Sequence, residues 1–288
     1  MKTTKKTWVV SFMALALLSL LLSACGGSAA NTAGNNNAEN SAGEAADASN
    51  LLGKIQAAGV IKVGIMGTYP PYNSLGKNGE YEGFDVDIAK GIADKLGVTA
   101  EFSAQDFSSL IPSLQADKLD AIVSQVTITD ERKQVIDFSD PYITNSVKII
   151  VGENNTDITT IQDFAGKTIG VGLGTNDESY LRNDVLPEVG NFEIKTYNDV
   201  ITSLQDLNAG RIDATINNMY ALKPIVDENG FKIKAVGEPI KSDQAGVAIR
   251  QDNPELKEAM NKALADMKAD GSYDEIFKKW FGEAPPAE

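Results

Sequence analysis

Residues 121–142 read Ala-Ile-Val-Ser-Gln-Val-Thr-Ile-Thr-Asp-Glu-Arg-Lys-Gln-Val-Ile-Asp-Phe-Ser-Asp-Pro-Tyr. The stretch opens on a short apolar run suited to a buried strand. At Ser124 polar residues take over. Thr127, Thr129 and Asp130 are good helix N-cap types, and Arg132 follows within about one turn. A strand end beside a helix start is where open α/β sheets bind ligands. The planar fork of arginine is suited to two-point capture of a carboxylate. The stretch therefore predicts a site that holds the carboxylate of a small molecule. A plainer reading of the same residues is a capped helix with a solvated arginine.

Working outward, strands and helices alternate on both sides. Upstream, residues 51–58 have helical spacing and 60–65 read as a strand. Thr68-Tyr69-Pro70-Pro71-Tyr72 reads as a loop with two aromatics, because proline removes ladder donors. After a turn at Asn78-Gly79, a helix carries Ile88, Ile92 and Leu96 on one face and stops at Gly97. A strand at 98–102, a helix opening at Asp106-Phe107-Ser108 and a strand at 119–123 follow. Downstream, strands are expected at 147–151, 167–171, 192–197, 211–216, 231–236 and 245–249. Helices fall at 177–186, 200–207, 219–226, 254–267 and 273–281, with Pro224 awkwardly inside one of them. Such alternation predicts a mostly parallel α/β architecture in two similar sets, without a strict repeat.

The first residues follow a different logic. Lys2, Lys5 and Lys6 precede an apolar run over 8–22, and Leu22-Ser23-Ala24-Cys25 ends it. This is the pattern of a secretory signal, short for a membrane span. Residues 1–24 are read as a signal peptide. The ending resembles the lipobox of bacterial lipoproteins, which implies that Cys25 is lipidated. Residues 25–50, rich in Gly, Ser, Ala and Asn, have too few large apolar side chains to fold and read as a tether. Cys25 is the chain's single cysteine, so no internal disulfide is available. Loss of the three signal lysines takes the net charge from −14 to −17. That acidity argues against nucleic acid, and the lack of histidine excludes His triads, His metal sites and His proton shuttles. No metal or cofactor is expected.

Several motifs, in order, resemble the extracytoplasmic solute-binding proteins of polar amino-acid ABC importers. They are Gly83-Phe84-Asp85-Val86-Asp87-Ile88, Asp106-Phe107-Ser108 with Leu110-Ile111-Pro112, and Thr127-Ile128-Thr129-Asp130-Glu131-Arg132. Ile136-Asp137-Phe138-Ser139-Asp140-Pro141-Tyr142 and the terminal Tyr273-Asp274-Glu275-Ile276-Phe277 through Gly282 complete the set. The resemblance implies a two-lobed, type II periplasmic-binding-protein-like α/β fold whose lobes are joined by two hinge strands. Lobe 1 would comprise 51–142 plus 247–283, and lobe 2 would comprise 147–241. It also implies capture of an amino acid, or a close zwitterionic analogue, and delivery to permease and ATPase subunits. The carrier would be a monomer, lipid-anchored on the extracytoplasmic face of a single-membrane bacterium.

Carried onto this chain, the resemblance assigns Arg132 to the ligand's carboxylate, with help from Thr127. Tyr69 and Phe107 would sandwich the side chain, and Ser124 and Gln125 would meet the ammonium. Thr175, Asn176 and Asn218 would approach from the second lobe, and Tyr72 would belong to the core. The family's acidic partner for the ammonium is Asn218 here, and a second acid found in some members is Met66. Asp106, Asp177 or Glu178 is a candidate replacement. The resemblance extends to cyclohexadienyl dehydratases, which would make Asp177, after Gly174-Thr175-Asn176, a general acid. Asp85 and Asp87 read as cap or solvated positions. Asp120 and Asp213 read as structural residues at strand entries. The sequence does not name the ligand.

Overall fold

A computed structural model describes residues 49–286. The signal, Cys25 and nearly all of the tether lie outside the described residues. In chain order the elements are α1 (Leu51–Ala58), β1 (Val60–Ile65), β2 (Thr68–Tyr69), β3 (Asn73–Leu75), β4 (Tyr81–Glu82), α2 (Phe84–Leu96), β5 (Thr99–Ala104), α3 (Phe107–Gln115) and β6 (Ala121–Ile122). Next come α4 (Asp130–Lys133), β7 (Asp137–Gly152), β8 (Thr168–Gly172), α5 (Asn176–Tyr180), α6 (Leu186–Val189), β9 (Glu193–Tyr197) and α7 (Val200–Asn208). β10 (Ala214–Asn218), α8 (Met219–Asn229), β11 (Ile233–Ile249), α9 (Pro254–Asp270) and α10 (Ser272–Phe281) close the chain.

Among the described residues, eight strands form one mixed sheet in the order β5-β1-β6-β11-β7-β10-β8-β9. The order is palindromic in character. The parallel trio β5-β1-β6 on one side answers β9-β8-β10 on the other. Both trios are pinned by the same reciprocal contact. Lys62 N donates to Asp120 Oδ2 (2.9 Å) while Asp120 N donates to the Lys62 carbonyl (2.8 Å). Thr168 N and Asp213 repeat it at 2.7 and 2.8 Å. The two Asp-Ala strand entries thus have the structural role expected of them. The fold is the two-lobed α/β architecture anticipated above.

Two strands run through the middle. β7 pairs antiparallel with β11 from Asp137↔Ile249 to Gly152↔Ile233. Sequence reading placed a strand only at 147–151 and separate strands at 231–236 and 245–249; each proves to be part of a longer strand. Polar or proline-bearing segments hid the continuity, since period-2 patterning fades where both strand faces are half-exposed. The ladder is irregular at Val236/Lys241 and again around Gly246, which faces Pro141, a residue with no N–H to contribute. The strand expected at 119–123 contracts to Ala121–Ile122, and Thr68–Tyr69 pairs in a small three-stranded sheet with β3 and β4. α8 continues to Asn229 with Pro224 inside.

Helix faces follow the apolar spacing. α9 buries Leu256, Met260, Ala263, Leu264 and Met267, the face that its sequence predicts. Each of its leucine and methionine side chains contributes on the order of 1.5–3 kcal/mol when fully buried. α10 inserts Phe277 against Phe84 (ring centroids 5.7 Å apart), and Tyr220 of α8 stacks on Phe281 (4.7 Å). Gly83 starts α2 at φ 136°, and a Cβ there would sit 2.1 Å from the Tyr72 carbonyl oxygen, a place for glycine alone.

Asp85 corrects the sequence reading. It is fully buried rather than solvated. Its Oδ1 accepts from Gln125 Nε2 (2.6 Å) and Tyr142 Oη (2.9 Å), and its Oδ2 accepts from Asn73 Nδ2 (2.7 Å). The network continues through Asn145 Nδ2 to Gln125 Oε1 (2.7 Å) and Tyr72 Oη to Asn145 Oδ1 (2.9 Å). It ties α2, the β6 exit and the crossing strand β7 into one unit. Helical spacing carried the signal. Asp85 shares the face of Ile88, Ala89 and Ile92, so it must point inward.

Burial raises the Asp85 carboxyl to about 6, against the opposing pull of its three donors. The native state therefore keeps this proton to higher pH than the unfolded chain, whose Asp titrates near ~3.9. The stability from this retained proton is full below about pH 4 and is lost as pH rises to about 6. Urea unfolding of the wild type and Asp85→Asn across this range should show the wild type losing ground to the variant as pH rises. A pH-independent difference between them would contradict the assignment.

Candidate functional site

The carboxyl ends of β1 and β6 and those of β8 and β10 converge on one cavity. Met66 and Ser124 leave the first pair of strands. Gly172 and Asn217-Asn218 end the second. The space open to the centre of a water is ≈ 70 Å³, several times what one water needs. Tyr69, Phe107, Ser124, Gln125, Thr127, Thr175, Asn176 and Asn218 all line it. Eight of the nine ligand-binding residues read from the sequence are thus brought together.

The first wall is held by the buried network. Met66 N donates to Ser124 Oγ (2.9 Å), and Gly67 N donates to Asn73 Oδ1 (2.8 Å). Gln125 adopts φ 53° and donates its backbone N–H to Tyr142 Oη (3.1 Å). The side chains of Ser124 and Gln125 are therefore occupied in shaping the wall. On the opposite side, Thr175 caps α5 by accepting from Glu178 N (3.2 Å) and donates to the Gly172 carbonyl (2.7 Å).

Hydrogen bonds cross the cavity. Tyr69 Oη donates to Asn217 Oδ1 (2.5 Å), and Thr127 Oγ1 donates to Asn176 Oδ1 (2.8 Å). Asn198 Nδ2 donates to Asp106 Oδ2 (3.2 Å), and Asn176 Nδ2 reaches Asp243 Oδ2 (2.8 Å) on β11. Gly174 lies so near Ser108 that a Cβ would meet it at 3.0 Å. The walls are closed on each other.

Arg132 is the exception among the expected residues. It is buried and capped as anticipated, with its N–H donating to Thr129 Oγ1 (3.2 Å). Its guanidinium lies behind the cavity wall. Nη1 donates to the Thr127 carbonyl (2.9 Å) and Nη2 to the Gly174 carbonyl (3.2 Å), 5.5 Å from the Phe107 ring centre. These bonds use two of five donors. Burial lowers its pKa, and Asp177, Glu131 and Asp243 oppose that shift.

Of the three candidate replacement acids, Asp177 lines the cavity. Its Oδ1 lies 2.7 Å from Lys241 Nζ, which also contacts Asp243 at 2.7 Å. Burial raises the Asp177 carboxyl, while Lys241 pulls it down. Asp106 and Glu178 are engaged elsewhere, with Asn198 and with Gly174 N and Arg182. Burial, followed by the charges of Asp177 and Asp85, pushes the Tyr69 hydroxyl well up, so it remains a neutral donor.

Sequence reasoning missed Tyr197, Asp199, Ser203 and Thr215, which also line the cavity. Asp199 reads from sequence only as a helix N-cap, a role it does have (Thr202 N to Asp199 Oδ1, 3.2 Å). Among the described residues no cluster of three or more acidic, His or Cys side chains could hold a metal, and no helix is long and apolar enough to cross a membrane.

Comparison with known proteins agrees with this geometry. The profile of bacterial extracellular solute-binding proteins, family 3, matches residues 61–283. The L-cystine-binding protein TcyJ of Escherichia coli K12 is 38% identical over 233 residues, covering 81% of this chain and 86% of its own. An ancestral arginine-binding protein bound to arginine superposes with a TM-score of 0.74 at 40% identity, covering 78% of this chain and 99% of that structure. The ancestral amino acid-binding protein AncCDT-1, a precursor of cyclohexadienyl dehydratase, superposes at 0.73 with 35% identity, covering 80% and 99%. With the cavity enclosed between two matched α/β halves and the family profile spanning nearly all of the folded residues, this chain belongs to the bacterial extracellular solute-binding proteins, family 3.

Proposed function

We propose that the protein is the extracytoplasmic binding component of an ABC importer, capturing an amino acid between its lobes and presenting the closed form to a permease. The carrying observation is the enclosed polar cavity at the strand ends of both halves, bridged by hydrogen bonds that opening would break. Relatives named for L-cystine and arginine binding support an amino-acid ligand. Lobe 1 is assigned to 51–142 plus 247–283 and lobe 2 to 147–241. The connections lie in β7 near 143–147 and in β11 near 242–247, so bending this strand pair opens the cleft.

In this reading Tyr69 and Phe107 flank the ligand, and Thr127, Thr175 and Asn176 supply hydrogen bonds near its carboxylate. Arg132 provides the positive charge from just behind Thr127, with three donors uncommitted to Thr127 and Gly174. Asp177, rather than Asn218, supplies the carboxylate for the ammonium, because an amide accepts hydrogen bonds without countercharge.

An enzymatic role is the second reading, favoured by the likeness to AncCDT-1 and by burial that raises Asp177 toward its protonated form. Lys241 at 2.7 Å works against it by favouring the carboxylate. We assign the chain to binding, without turnover. Incubation with prephenate and with arogenate should give no dehydrated product; turnover of either would reverse the assignment.

Two further outcomes follow. Calorimetry with the amino acid that gives the largest thermal shift should show Arg132→Ala weakening binding at least ~100-fold, the scale of a lost charge-assisted contact of ~3 kcal/mol. Near-unchanged affinity would remove Arg132 from the site. We also assign a lipid to Cys25, which anchors the protein on the outer face of a single membrane. Cys25→Ala in the producing bacterium should abolish metabolic labelling with palmitate, and retained label would refute the anchor.

A further inference from the structure

One polar group on the cavity wall has no partner. Ser203 is 5% exposed and lines the cavity, yet its Oγ has no hydrogen-bond partner in the structure. A buried hydroxyl left in this condition is costly, and an incoming polar group can satisfy it. Thr215, beside it, is already satisfied by donation to the Gly170 carbonyl (2.8 Å).

The charges on the walls are one-sided. The ionisable acids and bases lining the cavity are Asp177 and Asp199, both carboxylates. The cations close to the wall do not line it: Arg132 and Lys241 are bound to Thr127, Gly174, Asp177 and Asp243, and Lys195, 5.2 Å from the Tyr197 ring centre, is paired with Asp206. Asp177 follows Asn176, the partner of Thr127, at the start of α5. Asp199 caps α7, four residues before Ser203. Thr202 N and Thr202 Oγ1 each occupy one oxygen of Asp199. A carboxylate has about four lone-pair sites, so acceptor capacity remains.

We infer that Ser203 and Asp199 form a second polar station that selects an amino acid carrying a cation at the far end of its side chain, an ammonium or a guanidinium. This rests on the amino-acid-binding reading above. A ligand of this kind brings two positive groups to the two carboxylates of the cavity wall, Asp177 and Asp199, while its single carboxylate lies on the Arg132 side. A distal cation would donate to Ser203 Oγ and to Asp199, removing the cost of the unpaired hydroxyl. A distal carboxylate would meet Asp199 with no cation on the wall to neutralise it. A neutral side chain of the same shape would fit but would bring no countercharge to Asp199.

Isosteric pairs test the inference on the full mature chain. L-arginine is compared with L-citrulline, and L-lysine with 6-hydroxy-L-norleucine, by calorimetry. At least one cationic member should bind 10-fold or more tightly than its neutral partner, and Ser203→Ala and Asp199→Asn should each shrink that ratio at least threefold. Circular dichroism checks the fold of both variants, with Ser203→Ala the milder change. Equal or tighter binding of the neutral members, tightest binding of L-glutamate, or an unchanged ratio in Ser203→Ala overturns the station while the amino-acid reading stands. Absence of binding by any amino acid overturns both.

Discussion

A carboxylate buried with three neutral donors and no cation among its hydrogen-bond partners organises the first lobe. Asp85 accepts from Asn73, Gln125 and Tyr142, and each donor belongs to a different segment of the site. Placing a charge in the interior is costly unless every lone pair finds a donor. That requirement makes the positions of Asn73 and Gln125 interdependent. Gln125 in turn fixes Asn145, which lies on the crossing strand and accepts from Tyr72. The binding wall, the aromatic core and the hinge are therefore parts of one hydrogen-bonded assembly.

The second constraint is topological. Two halves with matching strand orders share one sheet, and the shared strands β7 and β11 are also the connection between the lobes. Strand ends from both halves then face each other across the cavity, where in the proposed reading closing expels water from around the ligand. Electrostatic contacts gain strength in such a place because the local dielectric falls. Tyr220 of α8 also rests on Phe281 of α10, an apolar contact outside the residues that line the cavity.

How much of this was legible differs from residue to residue. Tyr69, Phe107, Thr127, Thr175 and Asn176 line the cavity at the positions that their motifs indicate. Arg132 was recognisable from the Thr-x-x-Arg cap, but its guanidinium turned out to hold the Thr127 and Gly174 carbonyls behind the wall. Asp85 was misread because acidic residues early in a helix usually stay solvated near its positive end. Its apolar neighbours at helical spacing were the better evidence. Ser203 and Asp199 left no local trace, since a serine inside a helix and an aspartate at its cap both have ordinary explanations.

The sequence by itself determined the alternating strands and helices, the helix faces, the family, and the residues delivered to strand ends. Those features depend on periodicity, caps and glycine, all of which act within a few residues. The tertiary structure alone decided that two predicted strands are one, that Asp85 is buried, and that Asp177 rather than Asp106 or Glu178 faces the cavity. It also decided which hydroxyl is left without a partner. Each of these depends on groups distant in the chain, such as the 148 residues separating Tyr69 from Asn217. Whether a polar group is paired, and by what, is settled only when packing brings such groups within hydrogen-bonding distance.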